Sequence, residues 1–522
     1  MHSSNPARFG IFDALLVAVI LALGLVNLPV PFFGDQALFT IGAAKISHGA
    51  VLYRDFWDLK QPGIYAFYLV AGKLFGFTEL GIHTFELLYL AAFTVVLIVA
   101  LKRYYQHPWV ARLVPVMSIG VYYGVTGSWH LTQVEALVGF PLFLSLWFAS
   151  HPRDEASRSW HFFLSGLMGG VVLFFKLMFI LILAGFWITG AVDALVGGKE
   201  RPRSVLTRLV LPTLLGVLCP VAVTILYFAH VDALDLLYKT TIEYPPRILN
   251  ELPRGNLGAF VFGFLWSVER FAPLLSLALI GAYLSWPRRR DAVTTNLVLW
   301  VVLGFVVILM QRRSGWAYQY FSLVVPLGCL AGLGLDVLWG HVDMLNPLVS
   351  RRKAQILLVV AVLLTFSPIM ASYCRKSIWL VYYRYGPGAS KPLAYEARFE
   401  QDYPRMANEV AFLAEPGSLT GDIFVCGSPI YHYLSGRGQA VALNGWALGL
   451  YLPEQWLELR EELERVRPPY IFVFPDYAEL MPQRSPETMR FIEQNYRVLR
   501  TSDLGTWYIR NEIQVRPPAK SM

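Results

Sequence analysis

The sequence predicts an α-helical polytopic membrane protein of about 11 transmembrane helices, followed by a C-terminal α/β soluble domain. Three observations predict it. Hydrophobic residues make up 56% of the 522 and charged residues only 15%, at a mean hydropathy of +0.48; ordinary soluble domains carry about 25% charged residues. Apolar stretches of spanning length recur as far as residue 373 and then stop. The strong basic runs fall between alternate pairs of those stretches.

Spans are expected near 11–31, 82–101, 113–128, 134–149, 161–176, 177–196, 207–229, 259–284, 293–311, 317–339 and 354–373, with 161–196 read as two short helices around Lys176. No small-residue cleavage site follows the first stretch, so it is expected as a retained helix rather than a signal peptide. The stretch 63–76 is apolar but too short to cross, and reads as a helix lying in the interface or dipping partway in.

The loop charges fix the orientation. With the N-terminus inside, the inside loops hold Lys102, Arg103 and Arg112, then Arg153 and Arg158, then Lys199, Arg201, Arg203 and Arg208. Arg288, Arg289 and Arg290 follow, then Arg351, Arg352 and Lys353. Every strong basic run lies on one side, as the positive-inside rule requires. The chain after residue 373 is therefore expected outside. Counting 63–76 as a span would reverse every later loop.

Aromatic residues, at 15%, suit interfacial belts of Trp and Tyr. The formal charge of +8 points to membrane lipids as partners and not to nucleic acid, because the basic residues flank apolar spans. Four cysteines are too few for a disulfide framework. Cys219 and Cys329 fall in spans; Cys374 and Cys426 are two thiols that an extracytoplasmic domain would allow to pair.

Residues 374–522 read as a separate α/β domain. Strands are expected at Ile423–Cys426 and Tyr470–Phe474, with a closing edge strand at Thr506–Arg510, and helices at Glu454–Val466 and Glu487–Gln494. The run GSPIYHYLSGR is a strand-to-helix turn without the glycine pattern of a dinucleotide site. The tail after Glu512 reads as disordered.

The first outer loop, Phe32 to Pro62, is the most informative segment. It gathers Asp35, Asp55 and Asp58 with Lys45, His48, Arg54 and Lys60 beside a span end. Loops this long are more often functional than not. Asp35 precedes a helical run, where a carboxylate can take a proton from an acceptor hydroxyl. It can equally cap that helix, since Asp is a favoured N-cap, and one role does not exclude the other. Asp55 and Asp58 suit a sugar hydroxyl, a divalent cation, or ordinary loop hydrogen bonds.

A second cluster, Arg312 and Arg313 with Tyr318, faces outside against the charge rule. Guanidinium groups there can hold a lipid phosphate or anchor headgroups with the aromatic residues around them. Glu135, at a helix start, holds an acceptor or complements the helix dipole. Lys176, at an outer span end, meets the same phosphate or snorkels.

These pieces resemble the GT-C glycosyltransferases, in particular their protein mannosyltransferase and aminoarabinose-transferase branch (glycosyltransferase family 39-like). The likeness rests on Asp35 after the first span, Ala44–Gly49, Tyr53-Arg54-Asp55, Lys60–Pro62, Leu74–Gly76, Tyr318–Pro326, and Gly427 to Tyr431 with Gly436-Arg437. It spans nearly the whole chain with loose motifs. The resemblance implies a GT-C-like fold, a polyprenyl-phosphate sugar as donor, Asp35 at the catalytic acid position, and outside basic residues on the lipid phosphate. Many relatives follow the acid with Glu; here Gln36 follows, which puts a paired carboxylate or metal help at that point in doubt.

The expected function is transfer of a monosaccharide to a hydroxyl of a cell-envelope glycan, lipid or protein, at the outer face of a bacterial inner membrane. His48, Asp55, Asp58, Lys60, Glu135, Lys176, Arg312, Arg313 and Tyr318 are the candidate substrate contacts. A transporter or flippase would show charges buried mid-span or repeated halves, whereas the charges here fall mainly at span ends and loops. A polymerase or ligase of O-antigen type would carry its large loop late in the chain. A non-catalytic assembly subunit is the remaining rival.

Overall fold

The structure, a computed structural model, describes residues 9–150, 155–196, 201–251, 257–285, 291–311, 316–342, 350–446 and 448–511. The chain divides into two units. One holds Met1–Val30, Gln61–Tyr227 and Arg254–Ser390; the other holds Pro31–Lys60, Phe228–Pro253 and Lys391–Met522. The expected division into 1–373 and 374–522 differs for two physical reasons. The last long helix does not stop where its hydropathy does: it runs Arg351–Trp379 and continues through a π-helical stretch, Leu380–Tyr385. The first outer loop, in turn, groups with the C-terminal chain and not with the spans that flank it.

In the first unit each expected span is helical. Among the described residues seven helices are long and apolar enough to cross a membrane: Glu79–Leu101, Leu177–Val196, Pro202–His230, Phe260–Leu284, Ala292–Met310, Ala317–His341 and Arg351–Tyr385. Ile11–Leu25 and Val134–Ser150 are shorter apolar helices, and Glu155–Phe175 covers the expected span 161–176. The span 113–128 is broken into Pro108–Pro115, a π-helical turn Val116–Gly120 and Val121–Val125. Pro115 lacks a donor for the ladder there. The chain also breaks at Lys176, which is extended between Glu155–Phe175 and the turn Leu177–Phe179.

The short apolar stretch forms the helix Pro62–Phe75, with Pro62 in its first turn and Gly76 at φ 94° ending it. Its 14 residues reach about 21 Å at 1.5 Å per residue, short of a hydrocarbon core of about 30 Å.

Small residues let helix backbones touch. A Cβ on Gly166 would lie 2.0 Å from the Thr213 carbonyl oxygen, and one on Gly334 2.0 Å from that of Leu277. Buried acids are paired, as their desolvation requires. Asp13 takes Lys102 at 2.5 Å and Arg112 at 2.8 Å. Asp336 takes His107 at 2.8 Å and the backbone N–H groups of Gln106 and His107.

The second unit carries a four-stranded sheet: β1 (Phe424–Cys426), β2 (Tyr470–Val473), β3 (Tyr496–Ser502) and β4 (Gly505–Arg510), in the order β1-β2-β4-β3. β1 and β2 are parallel and wholly buried; β4 runs antiparallel to both its neighbours. The expected strands and both expected helices are present, the latter as Pro453–Val466 and Pro486–Asn495. β3 was not expected: its sequence, YRVLRTS, is largely exposed and lacks a clean alternation. Cys374 and Cys426 are both free thiols. The tail from Glu512 lies outside the described residues.

Beside β1 runs an extended segment, 438–446. Ile423 N–H bonds the Gly438 carbonyl at 3.0 Å, Ala440 N–H the Ile423 carbonyl at 2.9 Å, and Gly427 N–H the Gly445 carbonyl at 3.1 Å. Gly445 sits so close to β1 that a Cβ would lie 1.8 Å from the Val425 carbonyl oxygen. Gly445→Ala is therefore expected to destabilise the soluble unit by about 1–3 kcal/mol or more, read as a lowered Tm of the purified protein at fixed scan rate.

Candidate active site

The outer loop is zipped onto the 438–446 segment. Trp57 N–H donates to the Ala442 carbonyl at 2.9 Å, and the Asn444 side-chain amide donates to the Trp57 carbonyl at 2.7 Å. The Trp57 indole reaches the Thr240 hydroxyl at 3.2 Å. Lys45 donates to the Gln439 carbonyl at 2.6 Å. Burial lowers Lys45 from its ordinary value, against the opposing pull of Asp422, Asp55 and Glu462.

Asp35 opens the helix Asp35–Ser47, and the residue at the cap is Gly34, with φ 52° and ψ −122°. That backbone region is open to glycine and strained for other residues. The Asp35 side chain makes no capping bond to its helix. Its Oδ1 accepts the Trp446 indole N–H at 2.8 Å, and its Oδ2 faces the Lys60 ammonium at 3.2 Å. Of the two roles left open by the sequence, capping is absent. The carboxylate is aimed away from its own backbone and held by two outside donors. The helix N-terminus favours its negative charge as well.

Lys60 is placed by Tyr53, whose hydroxyl donates to the Lys60 carbonyl at 2.7 Å and whose ring stacks on Phe228 at 5.6 Å. Tyr53 has φ 72°, a strained conformation for a bulky residue that persists only where its surroundings over-determine it. Burial, then the nearby Asp58 charge, push its phenol well above the ordinary value.

The other loop candidates separate. Asp55 accepts the Val51 N–H at 2.7 Å and pairs with Arg54 at 3.1 Å. Burial pushes its carboxyl up, but Arg54 and the Val51 N–H outweigh it and the net shift is downward. Asp58 is buried and accepts the N–H of Leu59. Among the described residues no group of three or more His, Cys, Asp or Glu side chains could hold a metal ion, and Asp55 already spends its oxygens on Arg54 and Val51. His48 caps the far end of the Asp35 helix through the Ala44 carbonyl at 2.8 Å. Thirteen residues of helix put it about 20 Å from Asp35, so the two do not share a site.

In the membrane unit Glu135 and Lys176 meet at 2.5 Å, with side chains 2% and 15% exposed. Lys176 thus neither snorkels nor stands ready alone for a phosphate. Tyr318 stacks on Trp316, ring centroids 6.3 Å apart. Arg312 and Arg313 lie outside the described residues.

Two crystal structures carry the comparison. ArnT from Cupriavidus metallidurans bound to undecaprenyl phosphate superposes with a TM-score of 0.62, and ArnT from the same organism in the apo state with 0.60. Each is 15% identical in sequence, over 95% of this chain and 97% of that one. The chain has the GT-C fold of ArnT. No protein-family model and no curated protein matches the sequence. The ArnT fold agrees with the expected polytopic membrane architecture and with the resemblance read from Asp35, Tyr53 and Lys60.

Within this ArnT-like fold three charged or polar groups went unread in the sequence. Trp446 is one; nothing local ties it to a carboxylate 411 residues away. The others lie inside spans, contrary to the expectation that charges keep to span ends. Glu86 is fully buried and accepts the Tyr122 hydroxyl at 2.5 Å and the Thr132 N–H and hydroxyl at 3.1 Å each. It pins the turn that leads into Glu135, at a residue with φ 54°. Arg270 lies inside the apolar helix Phe260–Leu284. Its guanidinium covers the Trp266 ring at 5.5 Å, and Trp266 in turn packs on His130 at 5.0 Å. Its buried Nε has no hydrogen bond, and no described residue forms an ion pair with it. Burial, and then the Arg270 charge, lower His130 to about 4. The signal was available: an ionisable residue inside an apolar span is a reason to look for its partner.

Lys176→Met is expected to leave Glu135 buried and unpaired, at a cost of about 3–5 kcal/mol. Adding Glu135→Gln should restore much of that loss. Thermal unfolding of the two single variants and the double variant measures the coupling.

Proposed function

We propose that the chain is a membrane glycosyltransferase that moves a monosaccharide from a polyprenyl-phosphate donor to a hydroxyl of a cell-envelope glycan, lipid or protein. The observation that carries this reading is the Asp35 carboxylate, held by Lys60 and Trp446 and not spent on its own helix. It stands in a chain with the fold of ArnT, whose crystal structure holds undecaprenyl phosphate. The proposed setting is a bacterial inner membrane, with the outer loop and C-terminal chain on the periplasmic side, a placement the loop charges support.

In this reaction the acceptor oxygen attacks the anomeric carbon as the bond from that carbon to the phosphate oxygen breaks. The acceptor proton goes to the Asp35 carboxylate, and polyprenyl phosphate departs with the bonding pair. The buried, unbonded Nε of Arg270 makes that residue a further candidate for an anionic ligand in the membrane unit. Arg312 and Arg313, expected outside from the loop charges, remain candidates for the lipid phosphate. Asp58, beside Tyr53, is a candidate contact for a sugar hydroxyl. Asp55 is committed to Arg54 and the Val51 N–H.

The test is sugar transfer by the purified full chain in lipid nanodiscs, from polyprenyl-phosphate sugars to a cell-envelope extract, with products identified by mass spectrometry. Asp35→Asn is expected to lower transfer roughly 10²- to 10⁴-fold, the usual range for removing a general base. Arg270→Met is expected to lower kcat/KM for the donor roughly 10- to 100-fold, in line with one charged hydrogen bond. Full activity in a folded Asp35→Asn variant would remove Asp35 from the chemistry. Absence of transfer from every donor would overturn the reading.

A further inference from the structure

The C-terminal chain supplies the second donor to the Asp35 carboxylate, and both backbone polar groups of that donor are bonded. Trp446 N–H bonds the Asn444 side-chain oxygen at 3.0 Å, and the Tyr477 hydroxyl donates to the Trp446 carbonyl at 2.9 Å. Asn444 is itself held by Trp57 at 2.7 Å and by the Tyr451 hydroxyl at 2.5 Å. Gly445 lies against the backbone of β1, with no room for a side chain. Five residues from four different stretches of chain thus immobilise one tryptophan. The one polar atom in its side chain, the indole N–H, reaches Asp35 Oδ1 at 2.8 Å.

A structural role does not require that aim. An indole N–H at a half-buried position is readily satisfied by water or by a loop carbonyl. Here it takes one oxygen of a carboxylate whose other oxygen faces Lys60 at 3.2 Å. One donor on each oxygen stops the carboxylate from rotating, so its remaining lone pairs point in fixed directions. Fixed direction is what a group that meets an acceptor hydroxyl needs, since a misplacement of about 1 Å costs on the order of 100-fold in rate.

We propose that Trp446 is a positioning residue for the transfer: the C-terminal chain is part of the catalytic apparatus because its indole N–H orients Asp35. The inference rests on the proposed role of Asp35. It gives the C-terminal chain a part in the chemical step beyond recognising an acceptor.

Two substitutions separate the hydrogen bond from the ring. Trp446→Phe keeps an aromatic ring and loses the N–H. Trp446→Gln loses the ring and keeps an N–H donor at comparable reach. The assay is the same nanodisc transfer, run beside wild type and Asp35→Asn, with each variant's Tm measured to establish folding. If Trp446 orients Asp35 through its N–H, Trp446→Phe lowers kcat roughly 10- to 100-fold with donor and acceptor KM nearly unchanged, and Trp446→Gln retains more activity than Trp446→Phe. If the ring merely packs, the order reverses, with Trp446→Phe near wild type and Trp446→Gln impaired in both Tm and activity; that overturns the inference. Tyr477→Phe, which frees only the Trp446 carbonyl, is expected to give a smaller fall in kcat of the same kind, and it decides the matter should either Trp446 variant fail to fold. An Asp35→Asn variant that is inactive beside a fully active Trp446→Phe overturns this inference alone. A wild type that transfers from no donor overturns the proposed function and this inference with it.

Discussion

A carboxylate placed where a membrane span ends has to be held in its charged form by neighbours, and Asp35 draws those neighbours from two distant parts of the chain. Lys60 comes from the end of the same loop, and Trp446 from the C-terminal chain. Much of that unit's architecture follows from bringing them there. β1 and β2 form a buried parallel pair. The 438–446 segment lies along β1 and takes Trp57 on its other side. The loop between residues 31 and 60 is covered by that contact and is, in folding terms, part of the soluble unit. A short connector could not do this. About thirty residues are needed to carry a helix, a strained Tyr53 turn and a docking strand.

The same electrostatic constraint runs through the membrane unit with a different outcome. Asp13, Asp336, Glu86 and Glu135 are buried, and each is matched by a cation, a hydroxyl or backbone N–H groups. Removing one partner from such a pair is costly, which makes these contacts rigid fixtures between helices. Lys376 is buried in a similar way and is satisfied by the Asn27 side chain at 2.7 Å and the Thr126 carbonyl at 3.0 Å. Arg270 is treated otherwise: it rests on an aromatic ring and leaves a buried nitrogen unpaired.

What the sequence shows of this fold depends on how local each signal is. Hydropathy and loop charge are local, so the spans, the break at Lys176 and the short helix after Pro62 were all legible. β1, β2 and β4 were legible because apolar and β-branched residues mark them; β3 was not, because it is an exposed edge without a clean alternation, although only two residues separate it from β4. The Asp35 position was legible from its place after a span, while its freedom from capping was not, since that turns on the φ of Gly34. His48 looked near Asp35 in sequence and stands at the opposite end of a helix. Lys176 looked available and is paired with Glu135, a residue 41 positions earlier. Arg270 and Glu86 were hidden by averaging, because a single charge hardly moves the hydropathy of a long window.

The two donors on Asp35 also bear on the proposed reaction. A phosphate leaves readily once its charge is met, so the barrier is dominated by alignment of acceptor oxygen, anomeric carbon and leaving oxygen, and by charge at the phosphate. Under those conditions direction is what a proposed base has to supply. A carboxylate held at both oxygens, with a lone pair left for the acceptor, suits that chemistry better than a freely turning one. The rigid scaffold behind Trp446 is then intelligible as the part of the soluble unit on which the direction of Asp35 depends.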